Sequence, residues 1–380
     1  MSKDVAVLGL GMHPWGKWGQ SFVGYGVAAA RDALRDAGLQ WKDIQLVAGG
    51  DTIRNGYPGF VSGATFAQAL GWSGAKVSSS YGACATGAQA IGVARAHILA
   101  GLCDVALVVG ADAAPRGFFA PTGGRRPDDP DWLRFHLQGI TNPTYFGLYA
   151  RRRMDEYGAT QEDFAAVKVK NARHGLHNPN ARYRKEVTLD EVLGSALVAD
   201  PLHLLDICAT SDGAAALVLS SMDFARKHAT NPVRIAAVST VTPVYPNTII
   251  EMPNLSTDSK AGATLPERGF KESIAHAAYE ESGLGPEDMH LAEVYDLSTA
   301  LELDWYEQIG LCPPGDAAVT PSGALSCFGE AVPAQAIAQV CELTWQLRGR
   351  AGARQVEGAK AGVTVNQGLF GHGSSVICKV

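Results

Sequence analysis

Residues 36–47 read Asp36-Ala37-Gly38-Leu39-Gln40-Trp41-Lys42-Asp43-Ile44-Gln45-Leu46-Val47. Residues 281–292 read Glu281-Ser282-Gly283-Leu284-Gly285-Pro286-Glu287-Asp288-Met289-His290-Leu291-Ala292. In each, a helical pattern stops at a glycine, an acidic residue follows, and an apolar strand begins. Gly283 follows Gly38 by 245 positions. Further on, Ala88-Gln89-Ala90-Ile91 returns as Ala334-Gln335-Ala336-Ile337, displaced by 246. Two matches in almost one register point to a duplicated fold.

Outward from these segments each half reads strand, helix, strand, helix, strand. In the first half the strands are Val5–Leu8, Ile44–Val47 and Val105–Val109, and the helices Gly24–Ala37 and Cys84–Ala100. In the second, strands are expected at Val233–Val238, Leu291–Tyr295, Gly362–Val365 and Val376–Val380, and helices at Gly269–Ser282 and Glu330–Leu347. Apolar strands without alternation, separated by helices, belong to sheets covered on both faces, so the class is α/β. The N-terminal half takes in 1–114 and 201–225, and the C-terminal half 226–380. Residues 115–200, richer in charge, Pro and Asn, read as an inserted loop region with a helix around Asp163–Arg173, a place for substrate and dimer contacts.

Composition narrows the function classes. With 32 basic against 38 acidic residues there is no basic footprint for nucleic acid. No apolar run is long enough to span a bilayer, and Met1-Ser2-Lys3-Asp4 leads straight into an apolar strand, so no signal peptide is expected. The seven cysteines are scattered without a Cys-x-x-Cys pair. That speaks against a zinc site or a disulfide scaffold and for a reduced, cytoplasmic location. Gly9-x-Gly11 follows a strand but runs into His13-Pro14 with no third glycine opening a helix, so a dinucleotide site is rejected.

Chemistry concentrates in Ser78-Ser79-Ser80-Tyr81-Gly82-Ala83-Cys84-Ala85-Thr86-Gly87-Ala88-Gln89-Ala90. A tight turn delivers one thiol to the start of a small-residue helix, where free N–H groups favour a thiolate or an oxyanion. The duplication offset carries Cys84 onto Glu330, so both are expected at the interface between halves.

These motifs resemble the thiolase superfamily, and within it the lipid-transfer-protein branch of sterol-carrier thiolases and bacterial steroid side-chain aldolases. The carriers are Gly82–Gly87, Leu204-Leu205-Asp206, Thr210–Ala215, Glu293-Val294-Tyr295-Asp296, Glu307–Pro313, Pro321-Ser322-Gly323-Ala324-Leu325 and Cys341–Gly349. The resemblance covers essentially the whole chain and implies a five-layer α-β-α-β-α thiolase fold and a homodimer. It also implies a small OB-fold partner, some carrying a zinc ribbon, in a heterotetramer. A thiolase would carry a nucleophilic Cys, an Asn or His after a strand, a Gly-His-Pro turn and often a C-terminal Cys. Here Cys84 stands, Tyr295 replaces the Asn or His, Gly329-Glu330-Ala331 replaces Gly-His-Pro, and the glycine-rich loop Asn366–Gly373 holds His372 and no Cys.

A charged glutamate in place of that histidine disfavours a neighbouring thiolate or enolate, and one that holds a proton could donate to a carbonyl; either way ordinary thiolase activity is not expected. A retro-aldol cleavage of a 3-hydroxyacyl-CoA asks for less: a base for the 3-hydroxyl, an acid for the enolate, and no acyl-enzyme. Tyr295 could take either proton step if its surroundings lower its pKa. The family's aldolases can carry a second tyrosine after Gly-Glu-Ala; Val332 stands there, so Glu330 or His372 would serve instead. The leading reading is therefore a carbon–carbon lyase acting on an acyl-CoA with a bulky, steroid-like side chain. Two rivals stay open: an acyltransferase using Cys84, and a non-catalytic scaffold or acyl-CoA-binding subunit. Expected site residues are Tyr295, Cys84, Glu330 and His372, with Ser322, Gly323, Gly371 and Gly373 holding the CoA thioester; no cofactor or metal is expected. Plainer roles compete: Cys84 as a small core residue, Tyr295 as a strand-end tyrosine, Glu330 as a helix-start carboxylate, His372 as loop filler. Asp206 and Asp212 read as turn holders, His174 and His177 as surface residues, and Arg125-Arg126 as an exposed pair within reach of CoA phosphates.

Overall fold

The computed structural model describes residues 4–51, 61–114, 142–229, 231–245, 247, 264, 266–313, 323–368 and 371–380. The N-terminal half opens with β1 (Val5–Gly16), α1 (Phe22–Ala37), β2 (Leu46–Gly50), α2 (Ser62–Leu70), β3 (Lys76–Ser80), α3 (Thr86–Leu99) and β4 (Val105–Ala113). Then come α4 (Asn142–Tyr157), α5 (Gln161–Leu176), α6 (Leu189–Leu193), the two-strand ribbon β5 (Leu197–Ala199) and β6 (Leu202–His203), β7 (Asp212–Ser221) and α7 (Met222–His228). The rest is β8 (Val233–Val241), α8 (Phe270–Ser282), β9 (Leu291–Glu293), α9 (Thr299–Gln308), α10 (Ala324–Phe328), α11 (Gln335–Leu347), β10 (Ala361–Gly368) and β11 (His372–Lys379).

Among the described residues, nine strands form one sheet in the order β3-β2-β4-β7-β1-β8-β11-β10-β9. The duplication is plain in that order. Reading outward from the centre, β1, β7, β4 and β2 match β8, β11, β10 and β9. In both halves the outer pair is parallel and the inner pairs are antiparallel. The halves join where β1 pairs with β8 over Val5–Val7. Both repeats end their helix in one way: Gly38 at φ 66° and ψ 24°, Gly283 at φ 67° and ψ 24°, a left-handed cap that glycine adopts without Cβ strain. A single 3-10 turn follows in each, at Trp41–Asp43 and Pro286–Asp288.

Three apolar clusters separate five layers. One lies between α1, α2 and the outer face of the N-terminal strands. A second packs α3 and α11 between the inner faces of the two half-sheets. The third joins α8 and α9 to the outer face of the C-terminal strands. The central contact is close because glycines allow it: a Cβ on Gly110 of β4 would lie 2.0 Å from the Pro333 carbonyl oxygen ahead of α11.

The expected elements are present; most strands are longer, β9 is shorter and stops at Glu293 short of Tyr295, and the starts of both central helices shift. Glu330 lies outside α11, which begins after the turn at Pro333, and Cys84 precedes α3 by two residues. The sequence reading made 115–200 a loop region with one helix. Its described residues 142–193 instead carry three helices, α4, α5 and α6. The charges that read as loop are partly internal: Arg153 of α4 pairs with Glu307 of α9 at 2.5 Å with both side chains 7% exposed.

Candidate active site

Three loop segments meet at the pseudo-equivalent starts of α3 and α11. The turn before α3 is tied by Ala85 N–H to the Gly82 carbonyl (3.0 Å), Thr86 N–H to the Ala83 carbonyl (3.0 Å) and Gly82 N–H to Thr86 Oγ1 (2.9 Å). Ala83 adopts φ 49°, a left-handed conformation that costs a non-glycine residue about 1–2 kcal/mol. Its counterpart, Gly329, has φ 75°. The residues that follow these two positions are Cys84 and Glu330.

Glu330 is fixed from both sides of its backbone. Its N–H donates to the Ala209 carbonyl (2.7 Å) and its carbonyl accepts from Ser211 N–H (2.9 Å). Ser211 Oγ also donates to the Phe328 carbonyl (2.5 Å). These bonds give the Thr210–Gly213 motif its role as the brace of the Glu330 turn. Tyr295 follows β9. Beside it the Asp296 carboxylate accepts from Leu325 N–H (2.8 Å) and Ser326 N–H (3.0 Å), locking the Tyr295 segment to α10. Burial, with Glu302 nearby, pushes the Asp296 carboxyl well up.

The three side chains converge on one atom. Cys84 Sγ donates to Glu330 Oε1 at 3.0 Å, and Tyr295 Oη donates to the same oxygen at 3.2 Å. Cys84 is 5%, Tyr295 4% and Glu330 0% exposed. Burial, then the Cys84 thiol and the Glu330 carboxyl, hold the Tyr295 phenol well above its ordinary value. The sequence reading left open a tyrosine with a lowered pKa; the surroundings push the other way, so Tyr295 is a neutral donor.

The remaining expected residues are placed differently. His372 begins β11, half-buried, with Nδ1 3.4 Å from Gln89 Nε2; among the described residues it makes no hydrogen bond to the trio. Gly371 has φ 83° and forms the β10–β11 turn, its N–H on the Gly368 carbonyl (3.2 Å). A Cβ on Gly373 would lie 2.2 Å from Ile274 Cγ1, and one on Gly323 2.7 Å from the Gly175 backbone, so both are demanded by packing. Ser322 and Arg125-Arg126 lie outside the described residues. Asp212 holds a turn through Lys17 Nζ (3.1 Å) and Trp18 N–H (2.9 Å), and Asp206 through His203 N–H (2.8 Å) and Thr299 Oγ1 (3.2 Å).

Sequence reasoning missed two glutamines of α11. Gln335 Nε2 donates to the Cys84 carbonyl at 3.1 Å; Gln339 Nε2 donates to the Val294 carbonyl, next to Tyr295, at 3.2 Å. The signal was present: Gln335 is the repeat of Gln89, which touches His372. It also missed Cys208, a buried thiol close enough to help raise Tyr295. Among the described residues no cluster of His, Cys, Asp and Glu could hold a metal ion. No described helix is long and apolar enough to cross a membrane.

The chain matches the family model "Thiolase, N-terminal domain" over residues 19–223 and "Thiolase C-terminal domain-like" over 256–378. It is 32% identical to sterol carrier protein 2 of Bos taurus, over 97% of this chain and 70% of that one. It is 30% identical to an acetyl-CoA acetyltransferase of Methanothermobacter thermautotrophicus, over 98% of each. Among solved structures it is similar to the Ltp2-ChsH2(DUF35) aldolase, with a TM-score of 0.80, 26% identity, and 100% of this chain and 98% of that chain covered. The duplicated half-sheets, the paired loop starts at Cys84 and Glu330 and these matches agree: the chain belongs to the thiolase superfamily, in its sterol-carrier-protein-2-like group.

Proposed function

We propose that the protein is a carbon–carbon lyase that cleaves a 3-hydroxyacyl-CoA by retro-aldol chemistry. The observation that carries this reading is the convergence of Tyr295 and Cys84 on Glu330 Oε1. With Glu330 as the carboxylate, a thiolate at Cys84 would stand about 3 Å from a like charge. At an effective dielectric of about 20 that repulsion is about 5 kcal/mol, so the thiol serves better as a hydrogen-bond donor than as a nucleophile. The likeness to a solved aldolase supports the same choice.

The proton path follows the geometry. Tyr295 Oη takes the proton of the substrate 3-hydroxyl as its own proton passes to Glu330, so no free phenolate forms. The C3–O⁻ collapses to a carbonyl, and the C2–C3 bond electrons enter the thioester as an enolate. Glu330 then returns its proton through Tyr295 or Cys84 to C2. The products are a ketone or aldehyde and a shortened acyl-CoA; the CoA thioester is the substrate's own, and no cofactor enters the balance. A steroid side chain is the substrate class the sequence resemblance implies, and the cytoplasm is its proposed place of action.

We further propose a homodimer and an OB-fold partner. The edge strand β3 supports the first: Val77 is 46% exposed, with Trp72 at 64% and Val61 at 54% nearby in the chain. The solved aldolase, which joins Ltp2 to ChsH2(DUF35), supports the second.

One observation favours a second reading. The 3.0 Å contact between Cys84 and Glu330 also suits a carboxylate that deprotonates a thiol for acyl transfer. The test is mass spectrometry of products from a 3-hydroxyacyl-CoA with a steroid ring, without free CoA and with a co-expressed OB-fold partner. A ketone or aldehyde plus shortened acyl-CoA, retained in Cys84→Ala, is expected. Turnover only of a 3-ketoacyl-CoA, only with CoA and lost in Cys84→Ala, would replace lyase by acyltransferase. No turnover of either substrate leaves the scaffold reading.

A further inference from the structure

Behind the trio lies a cavity of about 30 Å³, walled mainly by apolar atoms with polar groups at a few points. Its walls include Trp15 of β1, Glu293 of β9, Val294, and Gln335, Gln339 and Glu342 of α11. Two of these side chains hold polar atoms with no partner among the described residues: Trp15 Nε1, a donor, and Gln335 Oε1, an acceptor. Trp15 is 2% and Gln335 1% exposed, so bulk water cannot satisfy them. Leaving such buried atoms unbonded costs more than a typical hydrogen bond contributes.

We infer that this cavity is a water-binding site and that its water sets the orientation of the Gln335 amide. A cavity of this volume holds one water, with room for a second, and its lining supplies the two to four polar partners that a buried water needs. The water accepts from Trp15 Nε1 and donates to Gln335 Oε1 and to a wall carboxylate, Glu293 or Glu342. With Oε1 so engaged, Nε2 of the same amide faces the Cys84 carbonyl, where it donates at 3.1 Å. One turn along α11, Gln339 accepts from Asn366 Nδ2 at 2.6 Å and donates to the Val294 carbonyl. Two amides on one helix face thus carry the backbone of Cys84 and of the residue before Tyr295, and the water sets the first. Gln335 is a positioning residue; it acts through the Cys84 turn, whichever reaction that turn performs.

A high-resolution crystal structure of the full chain tests the site. Ordered water within hydrogen-bond distance of both Trp15 Nε1 and Gln335 Oε1 is the expected result; a dry cavity overturns the proposal. The second arm reads the thiol without any substrate. Gln335→Met and, separately, Trp15→Phe are treated with iodoacetamide, and alkylation of Cys84 and of the half-buried Cys312 is followed by mass spectrometry. Loss of one hydrogen bond on the path is expected to change the Cys84 rate about fivefold in either variant with Cys312 unaltered. Rates that move together, as in general loosening, or that stay at wild-type values in both variants, overturn the positioning role.

Discussion

Glu330→Gln tests the proposed chemistry most directly, because the substitution keeps the volume and removes the proton acceptor. Glu330 is fully buried and its backbone is held by Ala209 and Ser211, so the amide must occupy the carboxylate's place. If the amide oxygen stands where Oε1 stands, it still accepts from Cys84 and Tyr295, but as a neutral acceptor. Hydrogen bonds to a charged group contribute about 1.5–3 kcal/mol and neutral ones about 0.5–1.5, so the two bonds together weaken by about 2–3 kcal/mol. The larger effect is on rate. A positioned general base contributes about 10²–10⁴-fold, or about 2.7–5.4 kcal/mol of barrier at 1.36 kcal/mol per decade. The expected outcome is kcat lowered by about two to four decades with KM nearly unchanged, because the lost interaction acts in the proton transfer. The assay follows shortened acyl-CoA by mass spectrometry in the absence of free CoA, with near-UV circular dichroism to establish native packing. A natively packed Glu330→Gln protein with kcat within about threefold of wild type would refute the reasoning. So would a raised KM at constant kcat.

Three further outcomes follow from the packing and the buried groups. Burial pushes the Cys327 thiol from 9.0 to about 11 and the Tyr145 and Tyr295 phenols well above 10.0. These groups keep their protons in the folded chain after the unfolded chain has lost them. Their stabilising effect is full below about pH 9 and falls above it by up to about 1.4 kcal/mol per pH unit per group; a urea midpoint constant from pH 8 to 11 would contradict this. Gly368→Ala places a Cβ 2.3 Å from the Gly82 carbonyl oxygen and 3.1 Å from Ala83 Cβ. It should cost about 1–3 kcal/mol and lower turnover by shifting the Cys84 turn, and unchanged kcat would show that the turn absorbs the methyl. Arg354→Met strands the Glu342 carboxylate, paired at 2.8 Å with the two side chains 6% and 3% exposed. A loss of about 3–5 kcal/mol in chemical denaturation is expected, and a loss below about 1 kcal/mol would mean that the pair is already hydrated.

Much of the fold was legible because the duplication is written in local chemistry. Gly38 and Gly283 stop their helices for a physical reason that single residues reveal, and nearly the same offset relates Cys84 to Glu330. β7 escaped because Asp212–Ser221 is alanine-rich and pairs on both sides, so it shows neither alternation nor turn signals. Two helices of the inserted region, α4 and α6, escaped because charge was read as exposure, whereas Arg153 of α4 is buried and finds its partner inside. At the site, Cys84, Tyr295 and Glu330 stood out by residue type, but the direction of the Tyr295 shift did not. That sign depends on desolvation and on two groups brought from 35 and more than 200 residues away in sequence.

The same duplication explains why the site is made from residues far apart in the chain. Cys84 and Glu330 are separated by 246 positions, the repeat offset itself, and they touch. Each follows a left-handed residue, Ala83 or Gly329, at the mouth of a central helix, and those two helices pack together between the half-sheets. A pseudo-two-fold relation thus brings equivalent loop starts face to face, and each contributes one group to a shared contact. Changing the residue type at one loop start therefore alters the chemistry at the other without moving the backbone of either. A histidine at the second start would accept from the thiol and leave a cation beside a thiolate, a favourable pair. Glutamate accepts equally well but leaves no positive charge, so it holds Cys84 as a donor and offers its basicity to Tyr295. On this argument one substitution at position 330, in an unchanged fold, separates thiol catalysis from phenol-carboxylate catalysis. Glu330→His should therefore raise the thiolate character of Cys84, measured as faster alkylation at neutral pH, while retro-aldol turnover falls. Alkylation no faster than wild type in a natively packed Glu330→His protein would count against the separation.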